Sequence, residues 1–266
     1  MINSVLKKPT SSDDKYSRGV VGFITGSNDF AGAAILGVTA ALRSGVGMVR
    51  YVGPDPVNRL ILETRPEVVL GAGRAQAWVV GSGVSPNADE QIASIQAMLA
   101  ADSSEFLVID AGALELISAN LSAANRAILT PHEGEARRLL ARLIPSVSPD
   151  LTRLELAREI QKQTGCTVVL KGSRTIIVDG ESEFTCPEAP SELATAGTGD
   201  VLAGIIGGLV AVNADEIQSG KISLLQIASA AVEVHSLAAS NLAVRGPIVA
   251  LDLANEVGRA IAQLRS

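Results

Sequence analysis

The sequence predicts a single α/β domain, a three-layer α/β/α sandwich in which helices cover both faces of a mostly parallel central sheet. Short apolar runs alternate with helix-favouring segments along most of the 266-residue chain. The strand-like runs are nearly continuous in apolar residues, as in a sheet that is buried on both faces. With 47% apolar and 19% charged residues, the chain can bury one large core.

Strand and helix patterns follow one another in a regular order. The first unit is a strand over 20–25, a glycine loop and a helix over 33–43. Two short runs over 175–178 and 183–186 flank Asp179-Gly180, which predicts an antiparallel hairpin. The other predicted strands are 48–52, 77–80, 106–109, 127–130 and 167–170. The other predicted helices are 56–62, 88–101, 133–143, 151–163, 200–212, 223–239 and 248–264, and residues 1–18 form an N-terminal arm.

Bulk charge and apolar patterning exclude several classes of protein. The formal net charge of −6 offers no basic surface for nucleic acid. No window reaches the roughly 18 apolar residues of a membrane-spanning helix, and residues 1–15 lack the apolar core of a signal peptide. Cys166 and Cys186 are too few for a disulfide framework. We therefore expect a cytoplasmic protein that binds neither nucleic acid nor membranes.

The most informative segment is Ala194-Thr195-Ala196-Gly197-Thr198-Gly199-Asp200, which directly precedes an apolar helix. A glycine-rich helix start exposes backbone N–H groups, and the helix dipole favours an anion there. Asp200 on the same turn can take a proton from a hydroxyl held next to a phosphoryl group. Asp200 could instead be an N-cap worth about 1 kcal/mol. A cap needs no flanking glycines, so we favour the functional interpretation.

Two further segments lie where predicted strands end. In residues 130–135, helix capping by Thr130 and Glu133, with Pro131 at the first helical position, needs no ligand but leaves His132 unexplained, so we predict His132 to be a site residue. His235, set among alanines and valines, is interpreted as a packed or surface histidine. Residues 171–175 deliver a lysine to a strand end, where phosphate binding and a plain hairpin entry are equally supported.

The remaining glycine and metal-ligand patterns are weak. The loop over 26–34 has neither the Gly-x-Gly-x-x-Gly nor the P-loop spacing. No His, Cys and carboxylate group has the spacing of metal ligands, so no protein metal site is predicted. Any Mg²⁺ would enter with nucleotide phosphates.

Taken in this order, the segments resemble the NAD(P)H-hydrate dehydratase family, a branch of the ribokinase-like superfamily related to small-alcohol kinases. The resemblance runs nearly end to end, and its most specific part is the motif over 130–135 followed by the one over 194–202. The other matching motifs are 26–34, 41–47, 171–175 and the glycines up to 208. The resemblance implies one ribokinase-like dehydratase domain over 1–266, without the epimerase domain that often precedes it.

The resemblance also implies an activity and a set of site residues. The chain would be a lyase that converts the S form of NADHX or NADPHX to NADH or NADPH, with ADP, or alternatively ATP, losing its terminal phosphate in the presence of Mg²⁺. Asp200 would be the catalytic carboxylate, with Ala33, Gly83 and His132 beside it at the substrate. The nucleotide would be held by Lys171, Gly172, Ser173, Arg174, Thr175, Thr198 and Gly199. A homotetramer and a separate NAD(P)HX epimerase as functional partner are also implied.

Three departures from the family pattern leave fine specificity open. Ser82 replaces a proline between two glycines, Gly112 replaces a second aspartate, and residues 190–193 lack the usual Asn and Gly. Two alternatives stay open, the first because the Gly-Thr-Gly-Asp chemistry serves both reactions and the second because of these departures. One is a kinase of the same fold for a small alcohol such as hydroxyethylthiazole or a sugar, and the other is a nucleotide-binding sensor without catalysis.

Overall fold

The central feature of the computed structural model, which describes residues 2–119 and 121–265, is a nine-stranded sheet. Its strands are β1 (Val20–Ile24), β2 (Met48–Tyr51), β3 (Val69–Leu70), β4 (Ala77–Val80), β5 (Phe106–Ile109), β6 (Ala127–Leu129), β7 (Thr167–Leu170), β8 (Ile176–Asp179) and β9 (Ser182–Thr185). They lie in the order β3-β2-β1-β4-β5-β6-β7-β8-β9. The first seven strands are parallel and the β8–β9 hairpin is antiparallel, as the sequence predicts.

Ten α-helices surround the sheet in the described part of the chain. They are α1 (Ile2–Val5), α2 (Ala31–Arg43), α3 (Asp55–Thr64), α4 (Asp89–Ala100), α5 (Glu133–Leu143), α6 (Arg153–Thr164), α7 (Thr198–Val212), α8 (Ala214–Gln218), α9 (Leu224–Ala243) and α10 (Ala250–Leu264). None of these helices has the length and apolarity required to cross a bilayer.

Two apolar cores, one on each face of the sheet, confirm the predicted three-layer architecture. Val21, Phe23 and Val79 pack on one face with α2, α7, α9 and α10. Val20, Val80 and alternate residues of the later strands pack on the other face with α4, α5 and α6. Because both faces are covered, most strands are apolar at consecutive positions.

Close contact between α2 and α7 fixes the direction of the glycine-rich helix. A Cβ atom on Gly204 would overlap the carbonyl group of Gly37, and one on Gly208 would overlap the Ser44 hydroxyl. Only glycine lets the two backbones approach this closely. The start of α7 is therefore held against α2 at the carboxyl edge of the sheet.

Three elements differ from the sequence prediction. The edge strand β3 has only two residues, and α8 is a five-residue helix with no apolar period of its own. The predicted arm begins with α1 and buries Val5 and Leu6, which are 1% and 2% exposed. Asn213 Nδ2 donates to the Val5 carbonyl oxygen at 3.0 Å, so contacts distant in sequence hold this segment.

Candidate active site

Four polar side chains meet at the carboxyl ends of neighbouring parallel strands. Ser82, Asp110, Thr130 and Lys171 follow β4, β5, β6 and β7 within two residues. Asp110 Oδ1 accepts hydrogen bonds from Lys171 Nζ at 2.7 Å and from Thr130 Oγ1 at 2.8 Å. Asp110 Oδ2 accepts one from Ser82 Oγ at 2.8 Å. The parallel register of the sheet thus assembles a fully hydrogen-bonded carboxylate.

The Lys171–Asp110 ion pair is largely removed from solvent. The Asp110 side chain is 3% exposed and that of Lys171 is 19% exposed. Burial lowers the pKa of Lys171, but the nearby carboxylates, Asp110 foremost, outweigh burial and raise it above its ordinary value. Lys171 therefore carries a fixed positive charge at the strand ends.

The first turn of α7 offers a binding site for an anion next to this charge. Gly197 caps the helix in the left-handed conformation at φ 90°, and no side chain caps it. Val201 N–H donates to the Gly197 carbonyl oxygen at 3.2 Å, whereas no described residue accepts the N–H of Gly199 or Asp200. A Cβ atom on Gly199 would lie 3.3 Å from Lys171 Nζ. Two backbone donors and an ammonium group therefore converge, as phosphate binding requires.

The pKa of the Asp200 carboxyl group is raised toward neutral pH. Burial and the nearby Asp110 charge raise its pKa to about 6, against the opposing effects of the Lys171 charge and the Ser82 hydroxyl. A carboxylate with this pKa can accept a proton at neutral pH and release it again. Its position on the first turn of α7 puts it beside the anion site.

Ala33 and Gly83, predicted to lie at the substrate, are in contact. A Cβ atom on Gly83 would lie 2.6 Å from Ala33 Cβ and 2.9 Å from the Phe30 carbonyl oxygen, and Gly83 has φ 68°. Gly26 N–H donates to the Ser82 carbonyl oxygen at 2.7 Å, which joins the two loops. The structure thus brings Ala33, Gly83, Asp110 and Asp200 to one edge, while their roles toward substrate stay predictions.

His132 caps α5, which corrects one part of the sequence interpretation. Its Nδ1 accepts hydrogen bonds from the N–H groups of Gly134 at 3.0 Å and Glu135 at 3.3 Å, and Glu135 Oε2 accepts from His132 N–H at 2.8 Å. The capping residue is therefore His132 and not Thr130, because Thr130 bonds to Asp110. Nδ1 of His132 is thus used in capping, and its Nε2 lies 3.6 Å from Glu135 Oε2.

A cleft of about 440 Å³ adjoins the anion site between residues 171–175, residues 187–194 and helix α9. Most of the predicted nucleotide-binding residues line it, namely Lys171, Gly172, Ser173, Thr175, Thr198 and Gly199, and so does His132. Arg174 is not among the lining residues, and its Nη2 donates to Glu188 Oε2 at 3.1 Å. The Thr198 hydroxyl donates to the Leu193 carbonyl oxygen at 2.8 Å, so its proton is used within the protein.

Asp110 and Arg153, which the sequence does not identify as site residues, hold this cleft in shape together with His235. Asp110 follows an apolar strand, a position that could have identified it. Arg153 braces the turn after β7, with Nη1 donating to the Arg174 carbonyl oxygen at 2.9 Å and Nη2 to that of Lys171 at 3.0 Å. His235 is packed, as one sequence interpretation had it, and its Nε2 donates to the Thr198 carbonyl oxygen at 2.9 Å. Burial lowers the pKa of His235 to about 4, so the ring is neutral.

No group of three His, Cys, Asp or Glu side chains within residues 2–119 and 121–265 could hold a metal ion. Of the carboxylates near Lys171, Asp110 accepts hydrogen bonds from three side chains, and Glu135 takes part in the cap of α5.

Comparison with known proteins identifies a family for almost the whole chain. A model of the NAD(P)H-hydrate dehydratase family matches residues 21–262. An ADP-dependent (S)-NAD(P)H-hydrate dehydratase of Neisseria meningitidis is 31% identical over 278 residues, which cover 98% of this chain and 90% of the relative. The match confirms the resemblance seen in the sequence and, with it, the ribokinase-like fold.

Two further relatives extend the comparison. A bifunctional NAD(P)H-hydrate repair enzyme, Nnr, of Corynebacterium glutamicum is 37% identical over 261 residues, covering 87% of this chain. The chain spans only 44% of that enzyme, so it corresponds to less than half of it. A crystal structure of the ADP/ATP-dependent NAD(P)H-hydrate dehydratase of Bacillus subtilis, co-crystallized with ATP/Mg²⁺, superposes with a TM-score of 0.80 at 25% identity. That superposition covers 98% of this chain and 95% of the other.

Proposed function

The chain belongs to the NAD(P)H-hydrate dehydratase family, and from this premise we propose that it dehydrates the S form of NADHX or NADPHX with ADP as phosphoryl donor. The observation that carries the proposal is the juxtaposition of a phosphate-binding helix start and a carboxylate, Asp200, whose pKa is about 6. Family membership favours this lyase activity over the small-alcohol kinase. The whole chain then acts as one dehydratase domain.

The nucleotide binds in the cleft between residues 171–175 and helix α9. Its terminal phosphate accepts hydrogen bonds from the N–H groups of Gly199 and Asp200, and the positive charge of Lys171 attracts the same phosphate. Mg²⁺ would enter with the nucleotide and would neutralise part of the charge on its phosphates. Arg153 and His235 hold the two backbone segments that bracket the phosphates.

Asp200 removes the proton of the ring hydroxyl, and this removal makes the hydroxyl oxygen a nucleophile. The hydroxyl oxygen bonds to the terminal phosphorus of ADP as the bond to the bridging oxygen breaks, which releases AMP. The carbon–oxygen bond then breaks and phosphate departs with the electron pair, a much better leaving group than hydroxide. Loss of a proton from the adjacent ring carbon forms the double bond of NADH. The backbone donors of α7 stabilise charge on the phosphoryl oxygens throughout.

We also propose a cytoplasmic location, a homotetramer and a separate epimerase that supplies the S form. Two buried free cysteines, Cys166 and Cys186, support a reducing compartment. Exposed apolar side chains at Val244, Val249 and Leu251 support self-association. The bifunctional relative supports a link between dehydration and a second repair activity.

Chemically hydrated NADH tests the proposed function. Adding ADP to protein and hydrate is expected to restore the absorbance of reduced nicotinamide and to release one phosphate per NADH formed. Parallel reactions with ATP determine the preferred nucleotide. Phosphorylation of a small alcohol without NADH formation would contradict the proposal in favour of the kinase. Nucleotide binding without phosphate release would favour the sensor.

A further inference from the structure

A second cleft of about 550 Å³ opens at the carboxyl ends of β2, β1 and β4. It is lined by residues 27–29 after β1, residues 52–54 after β2, and Ser85, residues 87–91 and Ser94 at the start of α4. The contact between Ala33 and Gly83 joins the segments after β1 and β4, which also border this second cleft, whereas the nucleotide cleft lies farther along the sheet at β7. A ligand that reaches Asp200 past Ala33 can therefore extend into this second cleft.

Ser27 gives the second cleft an unsatisfied hydrogen-bonding group. It lines the cleft, is 4% exposed, and its hydroxyl has no hydrogen-bond partner among the described residues. An unpaired buried hydroxyl costs about 1–3 kcal/mol, a cost that a polar ligand atom would remove. By contrast, the neighbouring Gln91 is satisfied, because its Nε2 donates to the Gly26 carbonyl oxygen at 2.9 Å.

The start of α2 follows residues 27–29, which line this cleft, and is open to an anion. Phe30 occupies the capping position without a side-chain cap. No described residue accepts the N–H groups of Ala31 or Gly32, and a Cβ atom on Gly32 would meet nothing within 4 Å. The positive end of a 13-residue helix thus faces open space where a pyrophosphate linking two nucleosides would pass.

The charge of the second cleft is negative. Asp29, Asp89 and Glu90 line it, and its described lining contains no lysine, arginine or histidine. Carboxylates accept hydrogen bonds from the 2′- and 3′-hydroxyls of a ribose and repel a phosphate at the 2′ position. An adenosine with a free 2′-hydroxyl therefore suits this lining, and a 2′-phosphorylated one does not.

We propose that the second cleft holds the adenosine half of the hydrated dinucleotide and selects NADHX over NADPHX. This inference rests on the proposed function, since it assigns the distal half of the same substrate. The nicotinamide half lies at Ala33, Gly83 and Asp200, the pyrophosphate crosses the start of α2, and Ser27 and the carboxylates contact the adenosine.

Steady-state kinetics with both S-form hydrates at saturating ADP test the inference. Wild-type protein is expected to prefer NADHX by about tenfold or more in kcat/KM, the effect of one unfavourable charge contact. The double variant Asp29→Arg/Asp89→Arg should reverse the preference through KM. Ser27→Ala should raise KM severalfold for both hydrates at unchanged kcat. Glu181→Arg, in the exposed turn between β8 and β9 at the far edge of the sheet, is the matched control and should leave the ratio unchanged.

A binding measurement separates failure of this inference from failure of the proposed function. NAD⁺ and NADP⁺ are titrated calorimetrically into wild-type protein and the double variant with the nucleotide cleft filled by ADP. Tighter binding of NAD⁺ to wild type, reversed in the variant, supports the inference whether or not turnover occurs. Equal affinities that the two arginines leave unchanged would overturn it. Loss of turnover on both hydrates by wild type would overturn the proposed function alone.

Discussion

Lys171 Nζ donates a hydrogen bond of 2.7 Å to Oδ1 of Asp110, across the carboxyl ends of β7 and β5. This contact holds the ammonium group beside Gly199 at the start of α7. Ser82 and Thr130 donate the other hydrogen bonds that Asp110 accepts. The Asp110 carboxylate is thereby committed to positioning, and Asp200 is the carboxylate available for proton transfer.

Replacing only Lys171 is predicted to lower the free energy of unfolding more than replacing Lys171 and Asp110 together. Lys171→Met leaves a buried carboxylate without its counter-ion, and we expect a loss of about 3 kcal/mol in the free energy of unfolding. The double variant Lys171→Met/Asp110→Asn should recover at least half of that loss. Urea unfolding of the two single variants and the double variant completes the cycle. Additive losses would show that the two side chains are not energetically coupled.

The pH dependence of kcat/KM should report the proton affinity of Asp200. Because the carboxylate must be ionised to accept the hydroxyl proton, kcat/KM is expected to rise with pH and to level off above an apparent pKa of about 6. Asp200→Asn should lower kcat by roughly a hundredfold or more and abolish this limb. A folded Asp200→Asn protein with wild-type turnover would refute the role of Asp200.

Gly199 and Gly204 lie on the same helix and should respond differently to alanine. At Gly199 the new methyl group would meet only the end of the Lys171 side chain, so Gly199→Ala should fold normally yet raise KM for ADP about tenfold by keeping the phosphate off the backbone. At Gly204 the methyl group would overlap the Gly37 carbonyl group, so Gly204→Ala should lose roughly 1–3 kcal/mol of stability. Urea unfolding and ADP kinetics on both proteins measure this contrast. An unchanged KM in Gly199→Ala would argue against phosphate binding there.

His235 is predicted to be a positioning residue for the first turn of α7. His235→Leu removes the donor to the Thr198 carbonyl oxygen, and we expect KM for ADP to rise about fivefold, as for one lost hydrogen bond, with little change in kcat. His235→Gln, which keeps an N–H donor, is the control and should restore most of the affinity. Since the pKa of His235 is about 4, neither effect should vary between pH 6 and 8. A fall in kcat at constant KM would contradict the positioning role.

Most of the fold was predictable because its signals are local. Apolar strand runs, the Asp179-Gly180 hairpin and the helix periods each involve residues close in sequence. The prediction missed β3, since a two-residue edge strand at Val69 and Leu70 has no period to detect. It treated the first residues as a polar arm because the burial of Val5 and Leu6 depends on Asn213, which is 208 positions from Val5.

The candidate site likewise contains residues that local sequence predicts and residues whose roles depend on contacts distant in sequence. Asp200 and the glycines before α7 are identified from the local link between a glycine loop and a helix start, whereas Lys171 is noted at a strand end and receives its nucleotide role from the family resemblance. The roles of Asp110 and His235 depend on partners 61 and 37 positions away. His132 is predicted as a site residue because capping by Thr130 and Glu133 leaves it unexplained, yet the structure makes it the cap of α5. His132 rather than Thr130 caps α5 because the Thr130 hydroxyl donates its hydrogen bond to Asp110.

A crystal structure of the Asp200→Asn protein with ADP and hydrated NADH would show directly whether the first turn of α7 binds phosphate. The terminal phosphate of ADP is expected within hydrogen-bonding distance of the N–H groups of residues 199 and 200 and of Lys171 Nζ, with the ring hydroxyl facing residue 200. Phosphates bound away from the first turn of α7, for example in the cleft at Ser27, would contradict it.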